Sequence, residues 1–509
     1  MTPYELPVPI ALRCIFNLFF LQFFCAGLLY GQKDSRAVIS ADFADPTVIK
    51  AQGKFYATGT SSEWAPHFPI YASTDLLNWA QTGYIFDQTP TWTSGSFWAP
   101  EYFFHHGTYF LYYTARRKSD NISCIGVATS PYPDRGFMDK GIIVEHGKEA
   151  IDAFVFNDNG QLYMTYKAYG LDDRPIEILG SKLSSDGLQL EGEVFSLLKD
   201  NQGNGIEGQS FLKKGGYYYM FYSAGGCCGL KCSYNVRVAR SKNFKGPYVD
   251  FDGNPILKEN AAWDCAGHGT FVAGTDGKNY YLYHAYNKKS NVFVGRQGML
   301  AELKWSGKEG WPTLTEYSGP EQKTDIKDDF NTKSLQKYWQ WDFRHADPRI
   351  KQLHGRLYLS GKINANNRTG LVLAVRPATN LFEAKVTVTN TNSGLKGLAY
   401  YGDANAALGI GVAGDSVVLW IVKDNMKSNL ASAKIKSGQM VDLKISLLAD
   451  LSCEVAYKQE NGDWKSLVPK EKILAVFLPQ WDRSPRIGLH YNGPEGAHAE
   501  FSSFRLTHY

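Results

Sequence analysis

The sequence predicts an all-β protein, in which a five-bladed β-propeller over residues 37–318 precedes a β-sandwich over residues 329–509. Three observations support this fold class. A strand–turn–strand pattern recurs five times, apolar and polar residues alternate in several later segments, and the 49 glycines and 21 prolines are spread along the chain. Many short strands joined by turns explain these patterns better than long helices do.

The N-terminus predicts a secretory signal peptide over residues 1–31. An apolar, uncharged run from Ile15 to Tyr30 follows Arg13 and precedes a polar stretch. The run is shorter than the roughly 20 residues that span a membrane, which disfavours the alternative of a membrane anchor. We therefore expect a secreted or periplasmic protein that has no integral membrane segment after cleavage. We also expect it to be a monomer.

Charge and composition narrow the class of substrate. The chain carries 54 basic and 50 acidic residues, for a net charge of +4, and no basic run stands out. A nucleic-acid partner or an anionic membrane is therefore not indicated. We expect a neutral substrate.

The recurring unit is a β-hairpin. Its five copies lie 53 to 61 residues apart, and in each a glycine turn follows the opening position by eight or nine residues. The turn glycines are Gly53, Gly107, Gly160, Gly215 and Gly277. Three or four short strands per unit are typical of a propeller blade. A solenoid is the alternative, which the long hairpin-based units disfavour.

The opening positions of the five units should meet at the central channel, since the innermost strand of each blade begins there. These positions are Asp45, Ala99, Asp152, Glu207 and His268. A lone aspartate before proline, as at Asp45, is most often a turn residue, but three carboxylates at one repeat position favour a function. Clustered carboxylates acquire separated pKa values, which assigns one acid and one base. Hydrolysis of a glycosidic bond needs such a pair, and aromatic-rich strands suit a sugar.

Six motifs follow one another along the chain. They are Asp45-Pro46-Thr47-Val48, Trp98-Ala99-Pro100-Glu101, Ile151-Asp152, Glu207 ahead of Gly215-Gly216-Tyr217-Tyr218-Tyr219, Gly225-Gly226-Cys227-Cys228-Gly229 and Gly267-His268-Gly269. The ordered set resembles glycoside hydrolase family 43, which contains five-bladed propeller arabinanases, α-L-arabinofuranosidases and β-xylosidases. The resemblance covers roughly residues 40–310.

The resemblance implies a role for each carboxylate. Asp45 would be the general base, Glu207 the general acid, and Asp152 a third acid that raises the proton affinity of Glu207 and orients it. The family inverts the anomeric configuration, so the carboxyls of Asp45 and Glu207 should be roughly 6.5–9.5 Å apart. Two departures, Gly208-Gln209 after the acid and Ala153 after the third acid, put substrate choice in doubt more than activity.

Four further residues are candidates for substrate binding. Trp98 and Phe97 precede the second opening position and are expected to stack on sugar, with core packing as the alternative. Arg237 alternates with apolar residues; it or Arg240 could face substrate hydroxyls, and a salt bridge within the blade is equally compatible. His268 is expected to be a hydrogen-bonded channel residue.

Metals and cysteines give weaker signals. The resemblance allows a water-mediated structural calcium at His268 near the propeller axis, although calcium prefers oxygen ligands; no cofactor is required. Cys227, Cys228 and Cys232 lack the second pair that a zinc site needs. A tight loop that contains Cys227 and Cys228 is the better interpretation, and the sequence leaves open whether the two thiols are oxidised.

The C-terminal part alternates with a period of two, for example in Phe382-Glu-Ala-Lys-Val-Thr-Val-Thr-Asn, which predicts two packed sheets. Motifs such as Trp339-Gln340-Trp341 resemble the concanavalin-like jelly-roll sandwich of β-xylosidase-like family members, which packs against the propeller and can lend a loop to the site. Asp347-Pro348 lies outside the repeat and is interpreted as a turn.

The sequence therefore predicts a secreted, inverting glycoside hydrolase that cleaves α-L-arabinofuranosidic linkages in arabinan or arabinose-substituted plant polysaccharide. The Cys-Cys loop and His268 favour this substrate. The C-terminal sandwich favours a β-xylosidase as the alternative, and another furanosidase, such as a galactofuranosidase, stays open. A catalytically inactive sugar-binding propeller is the alternative from a different class.

Overall fold

The computed structural model describes residues 35–169, 175–306, 310–479 and 482–509. The predicted signal peptide lies outside these residues. Within them, five four-stranded antiparallel sheets are followed by two larger antiparallel sheets, so the predicted fold class is confirmed. In the part of the chain that the structure describes, no helix is both long and apolar enough to cross a membrane.

The blades follow one another along the chain, each made of consecutive strands. The first five strands, of which all but β3 form blade 1, are β1 (Thr47–Ala51), β2 (Lys54–Thr58), β3 (Trp64–Ala65), β4 (His67–Ser73) and β5 (Ala80–Phe86). Blade 2 contains β6 (Thr93–His105), β7 (Thr108–Arg117), β8 (Ser123–Ser130) and β9 (Met138–Val144). Blade 3 contains β10 (Ala150–Asp158), β11 (Gln161–Ala168), β12 (Glu177–Lys182) and β13 (Phe195–Lys199). Blade 4 contains β14 (Ile206–Lys214), β15 (Tyr217–Ala224), β16 (Asn235–Ser241) and β17 (Val249–Asp250). Blade 5 contains β18 (Trp263–Ala273), β19 (Asn279–Asn287), a short 3-10 helix (Asn291–Val294), β20 (Gln297–Ser306) and β21 (Trp311–Tyr317).

The sandwich consists of the two larger sheets and has its own apolar core. Its strands, in chain order, are β22 (Ile326–Asp328), β23 (Trp341–Asp342), β24 (Ala346–Leu353), β25 (Arg356–Ile363), β26 (Leu371–Val375), β27 (Phe382–Thr389), β28 (Leu395–Asp403), β29 (Ala406–Ala413), β30 (Ser416–Lys423), β31 (Met426–Lys434), β32 (Met440–Leu447), β33 (Cys453–Gln459), β34 (Lys465–Ser466), β35 (Arg486–Asn492) and β36 (Ala499–His508), with a 3-10 helix (Ala475–Phe477) before β35. One sheet has the order β24-β25-β36-β27-β32-β33-β34, with β22 also paired to β36, and the other has the order β26-β35-β28-β29-β30-β31. Alternate residues of neighbouring strands, such as Val386 of β27 and Leu443 of β32, are buried between the two sheets.

Each blade opens with a residue in the left-handed backbone region, where the ladder to the second strand shifts register in blades 2 to 5. These residues are Asp45, Ala99, Asp152, Gly208 and His268, with φ values of 50, 37, 58, 61 and 36°. The structure therefore corrects the sequence alignment in blade 4, where the equivalent position is Gly208, and Glu207 precedes it by one residue. Such bulges re-aim side chains and are common beside active sites.

The propeller and the sandwich are joined through Trp64. Strand β3 pairs with β23, and the Trp64 side chain, only 1% exposed, lies in a cluster with buried sandwich residues that include Trp420. Its ring centroid is 5.7 Å from that of Tyr401, and the Arg486 guanidinium lies 4.0 Å from the ring centroid. One propeller side chain thus fills a pocket of the second domain.

Trp64→Ala should lower the free energy of unfolding by about 3–5 kcal/mol, because a buried indole leaves a cavity that its neighbours fill only in part. Urea denaturation followed by circular dichroism measures this. The matched control is Trp464→Ala, since Trp464 is 36% exposed on the sandwich, and a smaller loss, of about 1 kcal/mol, is expected there. Equal losses in both variants would contradict the role of Trp64.

Candidate active site

Asp45 lies at the centre of a dense set of polar contacts where blades 1 and 5 meet. One carboxylate oxygen accepts a hydrogen bond from Thr60 Oγ1 at 2.6 Å and the other from Arg296 Nη1 at 3.0 Å. Its backbone N–H donates to Nδ1 of the buried His284 at 3.0 Å. Burial raises the pKa of Asp45, but the Arg296 charge, the neighbouring histidines and the Thr60 hydroxyl together lower it well below its usual value. Asp45 is therefore ionised and oriented, as a general base must be.

His268 joins Asp45 to Asp152. Its Nδ1 lies 3.6 Å from Asp45 Oδ1 and 3.7 Å from Asp152 Oδ2, and the Asp152 carboxylate also accepts the Gly208 N–H at 3.0 Å. A side chain at position 208 would collide with the imidazole of His268, since a Cβ there would be 2.8 Å from Cγ. The glycine therefore lets blades 3, 4 and 5 meet closely beside the acid.

Glu207, the residue before this glycine, is held by both carboxylate oxygens. Oε1 accepts a hydrogen bond from the Tyr234 hydroxyl at 2.8 Å, and Oε2 forms an ion pair with Lys167. The two acidic side chains interact: burial, opposed in part by His268, together with the charge of Glu207 raises the pKa of Asp152 to about 6. Burial also raises the pKa of Glu207, but Lys167 and Tyr234 lower it below its usual value.

The two carboxyl groups therefore have different environments. Burial and the charge of Glu207 favour the protonated form of Asp152, whereas Lys167 and Tyr234 favour the carboxylate form of Glu207. Because the two groups interact, they titrate as a pair.

The predicted substrate-binding residues fall in different places. Trp98 occupies the repeat position of Glu207, is partly exposed, and donates from Nε1 to Asp482 Oδ2 at 3.0 Å. Phe97 has no exposed surface and stacks on His67 with a centroid distance of 3.8 Å, so the predicted sugar contact is wrong; the bulge turns it into the core. Arg237 lies on β16, the third strand of blade 4, and donates to Asn235 Oδ1 at 3.3 Å.

The remaining candidates are placed as follows. Arg240 lies over Tyr217 and Trp311, 4.6 and 4.0 Å from the ring centroids. Cys227 and Cys228 form a disulfide, a state that the sequence left open, and Cys232 forms a second one with Cys265. The first disulfide lies on the loop that leads to Tyr234, and the second connects this loop to β18.

The described residues contain no group of three or more histidine, cysteine or acidic side chains that could hold a metal ion. His268 is engaged by two carboxylates through one nitrogen, and its set of neighbours offers no cage of oxygen ligands of the kind that calcium takes. The residues therefore do not form a protein-ligated calcium site, and no catalytic step is assigned to a metal.

Five residues of the site were missed by the sequence analysis. They are Thr60, Lys167, Tyr234, His284 and Arg296. All of them except Lys167 lie many residues from the carboxylate they contact or contact it from another blade. The spacing of residues within the repeat therefore gives no signal for these four. Arg296 additionally donates to the Asp482 carbonyl at 3.4 Å, and the Ser62 hydroxyl donates to the same atom at 2.9 Å. The sandwich thus lends a loop to the site, as the resemblance implied.

Glu101 is another buried carboxyl, on β6 two residues after Ala99. It is 7% exposed, and the Thr47 hydroxyl donates to it at 2.9 Å. Burial raises its pKa from 4.5 to about 8, although the Thr47 hydrogen bond lowers it. The folded state therefore binds the extra proton between these pH values, and the free energy of unfolding falls as the pH rises through this window.

Glu101→Gln should reduce that loss of stability between pH 5 and pH 8.5, because the amide cannot ionise and can still accept from Thr47. Urea denaturation at both pH values measures the difference. Glu454→Gln, at an exposed position of β33, is the matched control and should keep the wild-type pH dependence. The same pH dependence in Glu101→Gln would contradict a protonated Glu101.

Comparison with known proteins agrees with this site. The sequence model of glycosyl hydrolases family 43 matches residues 35–312, and that of the β-xylosidase C-terminal concanavalin A-like domain matches residues 327–478. The chain belongs to glycosyl hydrolases family 43. It is thus a glycoside hydrolase of a family that inverts the anomeric configuration.

Two curated relatives and one solved structure illustrate the similarity. The extracellular exo-α-(1→5)-L-arabinofuranosidase ArbA of Cellvibrio japonicus is 32% identical over 335 residues, which cover 58% of this chain and 91% of the relative. The extracellular endo-α-(1→5)-L-arabinanase 1 of Bacillus subtilis is 28% identical over 292 residues, covering 53% and 86%. The crystal structure of xylan β-1,4-xylosidase from Bacillus halodurans superposes with a TM-score of 0.80 at 20% identity, over 92% of this chain and 99% of that one, which supports the fold.

Proposed function

We propose that the chain is a secreted, monomeric, inverting glycosidase that cleaves α-L-arabinofuranosidic linkages. The observation that carries the proposal is the placement of an ionised carboxylate, Asp45, and a protonatable pair, Asp152 and Glu207, around His268. The arabinofuranosidase and arabinanase names of the relatives support this sugar. Their extracellular location supports cleavage of residues 1–31 as a signal peptide.

In the proposed reaction, Asp45 acts as the base and Glu207 as the acid. Asp45 takes a proton from water, whose oxygen bonds to the anomeric carbon on the face opposite the leaving group. The glycosidic carbon–oxygen bond breaks, and Glu207 gives its proton to the departing oxygen. Asp152 titrates together with Glu207 and accepts the backbone N–H of Gly208, which orients the chain beside the acid. Any calcium would be held through water by His268 and would have a structural role.

A β-xylosidase is the second candidate, and it is supported by the match of the C-terminal domain to a β-xylosidase sequence model. A purely sugar-binding propeller is less compatible with the site. Burying charged side chains is costly unless they are paired. A module that only binds sugar has no need for the buried carboxylates, nor for Arg296 and Lys167, which neutralise them.

Hydrolysis of 4-nitrophenyl α-L-arabinofuranoside, the corresponding β-D-xyloside and β-D-galactofuranoside, and linear arabinan separates these candidates. We expect the arabinofuranoside to be cleaved with the highest kcat/KM. Product analysis on arabinan then distinguishes release of monosaccharide from release of oligosaccharides. Failure to cleave any of these substrates would contradict the proposal, and preference for the xyloside would select the second candidate.

A further inference from the structure

One position of the propeller repeat lies on the second strand of a blade, or just beyond it, and faces the left-handed residue of the next blade. Its five occupants are Thr60, Thr114, Lys167, Ser223 and His284, as the strand registers show. Four of them accept a backbone N–H across the blade boundary, with Ala99 donating to Thr60 at 2.9 Å, Asp152 to Thr114 at 3.2 Å, His268 to Ser223 at 2.8 Å and Asp45 to His284 at 3.0 Å. This position therefore ties neighbouring blades together.

Lys167 is the exception. An ammonium group has three donors and no acceptor, so it cannot accept the N–H of Gly208, which donates instead to Asp152 Oδ2 at 3.0 Å. The Lys167 ammonium reaches Glu207 Oε2 in the next blade and lies 4.3 Å from the centroid of the Tyr169 ring. At this one boundary the structural hydrogen bond is replaced by an ion pair with the acid.

The ion pair is largely shielded from solvent, most of all at Lys167. The Lys167 side chain is 4% exposed, and that of Glu207 is 17% exposed. A buried ammonium is costly unless it is paired, so Lys167 strongly favours the carboxylate form of Glu207. The Tyr234 hydroxyl donates to the other oxygen. Because each carboxylate oxygen has a partner, the orientation of the Glu207 carboxyl group is fixed.

We propose that Lys167 is a positioning residue for the general acid, which orients the Glu207 carboxyl and sets the pH above which the acid no longer holds its proton. The inference rests on the proposed function, because it concerns the same site. The other titratable groups that act on Glu207 and its partner carboxyl are Asp152, Tyr169, Tyr234, Asp45 and His268. Unlike a histidine, Lys167 has an ordinary pKa far above neutral pH and therefore keeps its charge while Glu207 titrates.

The test compares the pH dependence of kcat/KM for wild type, Lys167→Met and Lys167→Arg on whichever aryl glycoside the wild type cleaves. In Lys167→Met the alkaline limb should move up by about 1–3 pH units, the range expected when an opposite charge is removed from a carboxyl's surroundings. The acidic limb, which reports Asp45, should stay in place. Lys167→Arg keeps the charge and should keep the alkaline limb near its wild-type position.

Ser223→Ala removes a hydrogen-bonding residue from the same repeat position and is the matched structural control; it should leave the alkaline limb in place. Lys167→Thr, with the residue that blades 1 and 2 carry there, provides a second uncharged variant if Lys167→Met does not fold. An alkaline limb that coincides with wild type in a folded uncharged variant would overturn the role of Lys167. Absence of hydrolysis by the wild type would instead overturn the proposed function.

Discussion

Replacement of Glu207 by Gln should lower kcat/KM by about 10²–10⁴ on glycosides with poor leaving groups, the usual contribution of a positioned general acid. The amide cannot give a proton to the departing oxygen. An activated aryl glycoside needs little protonation, so it should lose far less. The alkaline limb of the pH profile, which in the wild type follows loss of the proton shared by Asp152 and Glu207, should vanish in the variant.

Steady-state rates on a series of aryl glycosides with leaving groups of increasing pKa measure this effect. In Glu207→Gln the logarithm of kcat/KM should fall more steeply with leaving-group pKa than in the wild type. The activated substrate is the control within the same variant, since it shares every binding contact. An equal loss on all leaving groups would indicate that Glu207 binds or supports the site without acting as the acid.

Replacement of Asp45 by Ala should lower kcat/KM by about 10²–10⁴ as well, because the variant lacks the carboxylate that takes the proton from water. In the wild type, Asp45 stays ionised at low pH, since Arg296 and the histidines overcome the effect of burial on its pKa. The acidic limb of the wild-type profile should therefore lie below the ordinary aspartate pKa of 3.8. Activity of the wild type should be highest between that limb and about pH 6.

Azide gives a direct check on the base. This anion needs no deprotonation, so it should attack the anomeric carbon in Asp45→Ala while Glu207 protonates the leaving oxygen, and a glycosyl azide of inverted configuration should accumulate. Asp347→Asn is the matched control, because the Asp347-Pro348 dipeptide repeats that of Asp45-Pro46 at an exposed position of the sandwich. Wild-type activity is expected there. Lack of rescue in a folded Asp45→Ala variant would count against the base role.

The architecture was predictable because the hairpin is repeated five times and each copy carries its own turn. The one-residue error at Glu207 arose where two glycines, Gly215 and Gly216, stand at the turn and the first of them was aligned. The left-handed opening position, which glycine adopts without strain, identifies Gly208 instead. The repeated turns are thus enough to predict the fold. Which side chain lies at the channel depends on the position of a single bulge.

The supporting residues were harder to predict, for two physical reasons. Arg296 acts on Asp45 from another blade, and Tyr234 reaches Glu207 from a loop 27 residues further along the chain, so neither contact leaves a trace in local spacing. Phe97 and Trp98 are adjacent, and only the position of the bulge decides which of them is buried. Lys167 did carry a signal, since a lysine within an apolar strand, at a position that is threonine, serine or histidine in the other blades, calls for a buried partner.

The stereochemistry of the first product tests the central claim most directly, because it depends on water attacking opposite Glu207. Proton NMR during rapid hydrolysis of an aryl α-L-arabinofuranoside records the anomer formed before mutarotation. We expect the β-anomer of arabinofuranose to appear first and the α-anomer to grow in later. Initial formation of the α-anomer would mean that a side chain attacks the sugar, and it would contradict the assignment of Asp45 as a base acting on water.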